Sequence, residues 1–483
     1  MIFCLVISFA SCDKITDQNV DPNKSPTARD QELLTSALGY TAWIIDGRYN
    51  ELAFQWGQYW TWGPGVSLGN SARYVAEPDD HNNVWARSYN NALADLRVIG
   101  KSDDQAFRGV SKVMTAYIYQ GLVDHFGDVP YEEALLGEIE DGSILSPNFD
   151  DAAGIYADLI LVLDDAISDF ELATTHPEEE DLLYGGNLSA WTKFAKSLKL
   201  RMLMRQQGVV DVEAQVTDLI REDDLIASAE DMAIMAMSGT AGSENPMFAV
   251  RESGIGNFYI ASNTSLDKLR ELSDPRINAL YDMASAPDEE ITGPIPADGI
   301  VGVDHGGINE LGFGTTSTQF SKGSAITYAA DAPVIFMSDW EVWFLVAEAG
   351  ARWPGIGVDD AAAFANGVAA SFDYLGVDGA DAYTSSLGYG GSLNDKIKHI
   401  AVQKWIACNG LQEDEGWIES RRLDTPDNPI FTDLATGIYQ TPVESALSPG
   451  VHPSAFLYPQ SEVNLNPNTP AQRSLTDKVF WDN

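Results

Sequence analysis

Apolar residues recur at three- and four-residue steps through much of the chain, and that pattern commits it to helices packed on one another. Phe107, Val110, Met114, Tyr117 and Gly121 fall on one helix face. Ile155, Leu159, Val162 and Ala166 do the same, as do Trp191, Phe194, Ala195, Leu198 and Met202. The pattern is largely helical from about 31 to 210. Ser338 and Glu341 are spaced as a capping box, and Met337 can staple onto Val342. That helix runs through Ala349 and stops at Trp353-Pro354-Gly355. Further helices are predicted over about 359–374 and 394–409, the second ending at Gly410, a suitable residue just past a helix. Helix pairs joined by short turns predict a mostly α fold with a superhelical scaffold of the tetratricopeptide kind. The repeat's consensus positions are too degenerate to establish it from period alone.

Two segments break the pattern. Residues 287–333 are rich in Gly, Thr and Ser, with Gly306, Gly307, Gly312, Gly314 and Gly323, and residues 424–483 are Pro-rich and irregular. Long structured loops commonly carry binding function.

The first eleven residues, MIFCLVISFAS, are apolar or small and too short to span a bilayer, which takes about 20 residues. They read as the hydrophobic part of a signal peptide. Phe9-Ala10-Ser11-Cys12 resembles a bacterial lipobox, which makes Cys12 the expected site of lipidation, although a basic n-region is missing. An ordinary secretory signal with an incidental Cys12 is the competing reading. Polar residues 13–26, with two prolines, read as a tether. Cys408 falls on an apolar helix face with Ile397, Ile400, Ala401 and Trp405, as a small buried hydrophobe does.

Charge narrows the partners. Against 72 Asp+Glu there are 29 Lys+Arg, a formal net charge of −43. Such a field repels phosphate backbones, so nucleic acid is not an expected partner, and it penalises neutral glycans least. The basic stripe Lys193, Lys196, Lys199, Arg201 and Arg205 is expected to pair with neighbouring carboxylates.

Enzyme signatures fail. Gly-Val-Ser-Leu-Gly at 65–69 fits the nucleophile-elbow pattern, but the preceding Gln58-Tyr-Trp-Thr-Trp-Gly-Pro64 does not read as the buried strand an elbow needs. The six His show no HExxH spacing, so no catalytic metal is expected. The acidic loop 77–83 could hold calcium through oxygen ligands but lacks EF-hand spacing, so it reads as a solvated loop and no cofactor is implied.

Several blocks together resemble the SusD/RagB family of nutrient-binding lipoproteins, its SusD-like branch in particular. They are Asn19-Val-Asp-Pro-Asn23; His125-Phe-Gly-Asp-Val-Pro-Tyr131; Tyr184-Gly-Gly-Asn187 with the following Trp191 to Arg201; Ser273-Asp-Pro-Arg276; and Phe336-Met-Ser-Asp-Trp-Glu-Val-Trp-Phe-Leu-Val-Ala-Glu-Ala-Gly350. Gln403-Lys-Trp405, Arg421-Arg422, and Leu457-Tyr-Pro459 with Glu462 and Asn464 complete the order. Asp339-Trp340 stands where the branch usually has Tyr-Ser, and Lys196 where Asn is commoner. The resemblance implies a non-catalytic, lipid-anchored, surface-exposed outer-membrane protein that delivers glycans to a SusC-type TonB-dependent transporter. It also implies tetratricopeptide-like helix pairs packed against that transporter, and a ligand site on loops away from them. On this reading 1–11 is the signal peptide and 12–27 the lipidated Cys12 with its tether. A SusD-like domain fills 28–483, with a loop-rich insertion over about 287–333. A surface glycoside hydrolase on a helical toroid and a periplasmic solute-binding lipoprotein are the alternatives; the latter predicts strand periodicity that is lacking.

A sugar offers apolar C–H faces to aromatic rings and hydroxyls to polar side chains. In Phe54-Gln-Trp-Gly-Gln-Tyr-Trp-Thr-Trp62, Trp56 and Tyr59 sit at core spacing, whereas Trp60 and Trp62, running into a Gly-Pro-Gly turn, are candidates for a presented platform. Asn70, Arg73 and Tyr74 follow them, and Phe313 and Phe320 join from the Gly-rich segment. For each of these aromatics, packing beneath an irregular loop is the other reading.

Overall fold

The long helices begin where a side chain can satisfy the free N–H groups of the first turn. The computed structural model describes residues 29–63, 70–137, 143–252, 259–307 and 316–482. In chain order the helices include α1 (Asp30–Trp43), α2 (Asn50–Trp56), α3 (Leu93–Ile99), α4 (Gln105–Phe126), α5 (Ala152–Leu172), α6 (Leu188–Arg205), α7 (Asp339–Arg352), α8 (Asp360–Leu375), α9 (Leu393–Cys408) and α10 (Glu413–Leu423). Asp104, Asp151, Asn187 and Asp359 cap α4, α5, α6 and α8 through their side chains. Ser392 and Asp395 form a full capping box at α9. At α7 only half of the expected box forms: Ser338 Oγ accepts the Glu341 N–H at 3.3 Å, but the Glu341 carboxylate turns inward to Arg201. The buried Arg201 guanidinium, which otherwise reaches the Phe336 carbonyl at 3.3 Å, outcompetes the cap for this carboxylate.

The helices pair as the periodicity predicts: α4 with α5, α7 with α8, and α9 with α10. Two pairs touch at a glycine. A Cβ on Gly109 of α4 would stand 2.4 Å from the Phe170 ring of α5, and one on Gly367 of α8 would stand 2.9 Å from Phe344 of α7. α9 ends at Asn409, and Gly410 takes the left-handed conformation (φ 74°) that releases the chain into α10.

Strands are few and short. β1 (Trp60–Trp62) pairs antiparallel with β3 (Tyr259–Ala261), and β2 (Ala233–Met235) with β4 (Val334–Met337). β1 corrects the reading of 58–64: a buried strand does precede 65–69, in a two-stranded ribbon rather than the sheet of an elbow. Residues 65–69 lie outside the described part. In 77–83 the acidic side chains of Glu77 and Asp79 are exposed, as a solvated loop requires, but His81 departs from that reading: it is fully buried and stacked on Phe456 at 4.5 Å.

The basic stripe of α6 pairs as expected. Lys193 meets Asp231 at 2.6 Å, Lys196 meets Glu222 at 2.8 Å and Asp224 at 2.9 Å, and Lys199 meets Asp164 at 2.5 Å. Its last turn reaches the interior, where Arg201 and Arg205 join Glu341, Asp124, Glu415 and Glu419 from α7, α4 and α10. Lys404 of α9 bridges Glu415 at 3.0 Å and Glu419 at 3.1 Å, and Arg422 ties Glu419 to Glu348. Against burial, Arg205, Lys404 and Arg201 hold Glu415 down to about 2. Charges this deep persist because each has partners on more than one side. Cys408 is fully buried, and burial pushes its thiol well up, as an inert core residue requires.

Candidate functional site: the irregular side

The β1–β3 ribbon places the aromatic residues that the sequence singles out, and it places them inward. Trp60 is 1% exposed; its ring lies on Tyr281 at 4.6 Å and Nε1 donates to Glu413 Oε1 at 3.2 Å. Trp62, opposite Tyr259 in the register, packs on that ring at 4.5 Å and donates to Ser71 Oγ at 3.0 Å. Tyr74 is 1% exposed, with its hydroxyl taking Gln58 Nε2 at 2.7 Å and meeting His452 Nδ1 at 2.8 Å. Phe320 fills a small separate core with Ile260, Val301 and Val303. The expectation of a presented platform is therefore corrected for Trp60, Trp62, Tyr74 and Phe320. Their faces are covered by other side chains and their polar atoms are tied inside. Phe313 and Cys12 lie outside the described residues.

Asn70 and Arg73 do reach the surface, brought together by a 3₁₀ turn over Ser71–Arg73. Tyr74 ends that turn in the left-handed region (φ 62°), which turns its ring inward and leaves Arg73 half-buried at the surface. Arg73 Nη2 donates to Asn70 Oδ1 at 3.2 Å, and Nη1 pairs with Glu444 Oε2 at 2.6 Å. The Arg73 carbonyl accepts the Ala446 N–H at 2.9 Å, so the C-terminal segment holds the turn in place. Gly306 packs against the Arg73 side chain, where a Cβ would stand 2.9 Å from its Cγ. Sequence reading missed Glu444, because 371 residues separate it from Arg73 and nothing local marks the pair. Together the three side chains offer guanidinium donors, an amide and a carboxylate, a set suited to hydroxyls.

Under this cluster lies a largely buried polar layer. Glu413 accepts from Trp60, from Tyr328 at 3.0 Å, from the Gly410 N–H at 2.8 Å and from Asn50 at 2.7 Å. Burial nevertheless lifts its carboxyl to about 6. Burial lowers His452 to about 4, and lowers His305 to about 3 with the help of His452. These groups hold the underside of the loops in one geometry. Among the described residues no aromatic side chain is fully exposed.

A family model described as starch-binding and associating with the outer membrane, SusD-like, matches residues 22–459. Solved structures share the fold. A chitin-binding protein superposes with a TM-score of 0.78 at 22% identity, covering 94% of this chain and 100% of its own. A SusD/RagB family protein from Bacteroides thetaiotaomicron gives 0.74 at 21%, covering 94% and 99%. A chitin-binding SusD homolog from Flavobacterium johnsoniae gives 0.73 at 18%, covering 93% and 98%. No curated protein matches the chain.

Proposed function

The chain belongs to the SusD-like family, and from that premise we propose that it binds oligo- or polysaccharides without cleaving them and delivers them to a SusC-type TonB-dependent transporter. It acts at the outer membrane, exposed at the cell surface and held by a lipid on Cys12. The observation that carries this reading is the match over 22–459 to a family described as starch-binding and associating with that membrane. The chitin-binding names of two fold relatives support a neutral glycan as the ligand, and so does the acidic surface.

On this reading Asn70 and Arg73, with Glu444, take sugar hydroxyls on the irregular side, and Trp60, Trp62, Tyr74 and Phe320 support the loops from beneath. No helix among the described residues is long and apolar enough to cross a membrane, which is compatible with attachment through a lipid.

The test is binding of the purified protein to starch, chitin oligomers and acidic polysaccharides, with reducing ends assayed in the same tubes. Binding of a neutral glycan without new reducing ends, weakened by Arg73→Ala, is the expected result. New reducing ends would overturn the non-catalytic reading, and silence on every glycan would overturn the ligand class.

A further inference from the structure

A groove of about 440 Å³ lies between α7 and α8, with residues of 227–232 along it. That volume falls within the range of about 300–1,000 Å³ typical of small-molecule sites. Its aromatic wall is Trp343, half-buried, with Nε1 anchored to the Ala227 carbonyl at 3.0 Å so that the ring has one orientation. Tyr374, also half-buried, lines it with Ala369 and Ala370, whose small side chains leave the space open.

The polar side chains are two carboxylates, an amide and the hydroxyls of Ser228 and Tyr374, with no cation among them. Asn366 and Asp373 stand exposed seven residues apart on one face of α8. Asp339 stands one turn before Trp343 on α7 and is only 6% exposed. One Asp339 oxygen takes the Trp340 N–H at 2.8 Å, and among the described residues no other residue's N–H or O–H group donates to this carboxylate. Burial raises its pKa, and the nearby Asp373 and Asp231 raise it further. Asp231 already holds Lys193, and no Lys or Arg lines the groove itself. A nearly buried carboxylate facing a second one, without a cation between them, is costly for the fold.

We propose that this groove is a second saccharide site, selective for an amino sugar with a free, protonated amine. The sugar's C–H face lies on Trp343, the ammonium on the Asp339 and Asp373 side, and a hydroxyl on Asn366. The acidic rim rejects uronates. The proposal takes its ligand class from the glycan reading above but is built from other elements than the Arg73 cluster.

Calorimetric titration of the purified protein with a β-linked glucosamine tetramer, its fully N-acetylated counterpart and tetragalacturonate tests it. The glucosamine tetramer binds, and Asp373→Asn weakens it about tenfold or more, the loss of one charge-assisted contact. Asp373 is exposed, so that variant keeps the fold. Trp343→Ala abolishes binding in the groove. Absence of binding, indifference of the glucosamine tetramer to Asp373→Asn or to Trp343→Ala, or an equal loss of the acetylated tetramer or the uronate with Trp343→Ala would each overturn the groove. If the glucosamine tetramer binds here while starch and chitin oligomers bind nowhere, the groove stands and the general capture reading falls.

Discussion

His452 and Glu413 sit under the same loops and bend the stability of the protein in opposite directions with pH. Burial lowers His452 to about 4, below the ordinary value of about 6.5. Its stabilising contribution is complete above about pH 6.5 and is lost as pH falls, because the unfolded chain takes a proton that the folded one refuses. That loss is about 3 kcal/mol by pH 4. His452→Gln lacks it, so urea midpoints of wild type and variant converge between pH 7 and 4. Glu413 is raised to about 6 by burial, so its sign is reversed: the folded state holds the extra proton, and stability falls as pH rises from about 4.5 to 6. The loss is about 2 kcal/mol, and the advantage of wild type over Glu413→Gln shrinks by that amount over the same window. Glu413 also shows why the aromatic platform was misjudged from sequence. The indole of Trp60 is drawn inward by a carboxylate 353 residues away, a pairing with no local signature. That Asn70 and Arg73 stand together was readable because their turn is local; that Asp339 and Trp343 line a groove was not, since a residue's face on a helix does not say what covers it.

α6 joins the helix pairs, and its two ends do so by different physics. Lys199 near its middle pairs with Asp164, which is 48% exposed, and Lys199→Met costs no more than about 1 kcal/mol. Arg205 at the end is 2% exposed and faces Asp124, Glu415 and Glu419 at once. Arg205→Met strands those carboxylates and costs about 3–5 kcal/mol, read from denaturant midpoints at neutral pH. Helix positions and breaks were legible because they depend on residues within one turn of each other: Gly410 marks the end of α9, whereas the capping box of Ser392 and Asp395 at its start is seen only in the structure. The inward use of Glu341 was not, because whether a glutamate caps its own helix or crosses to Arg201 depends on what tertiary contact brings near it.

At the scale of the whole molecule, 72 acidic against 29 basic residues leave a self-repelling surface. Salt shortens the reach of that repulsion to about 10 Å at 0.1 M and about 3 Å at 1 M. The melting temperature is therefore expected to rise between low salt and about 0.5 M sodium chloride; a fall would mean that the pairs on α6 outweigh the repulsion. The mostly helical scaffold was readable at this scale, whereas the short ribbon of β1 and β3 was not, since three-residue strands carry too little alternation to register. One carboxylate ties this scale back to time. Asp124 takes Arg205 and Tyr156 from the helical scaffold, and its fourth-quarter partner is Trp481, whose Nε1 reaches it at 2.8 Å. Translation delivers residue 481 long after 124 and 205, so the charged interior of a growing chain waits without its cover.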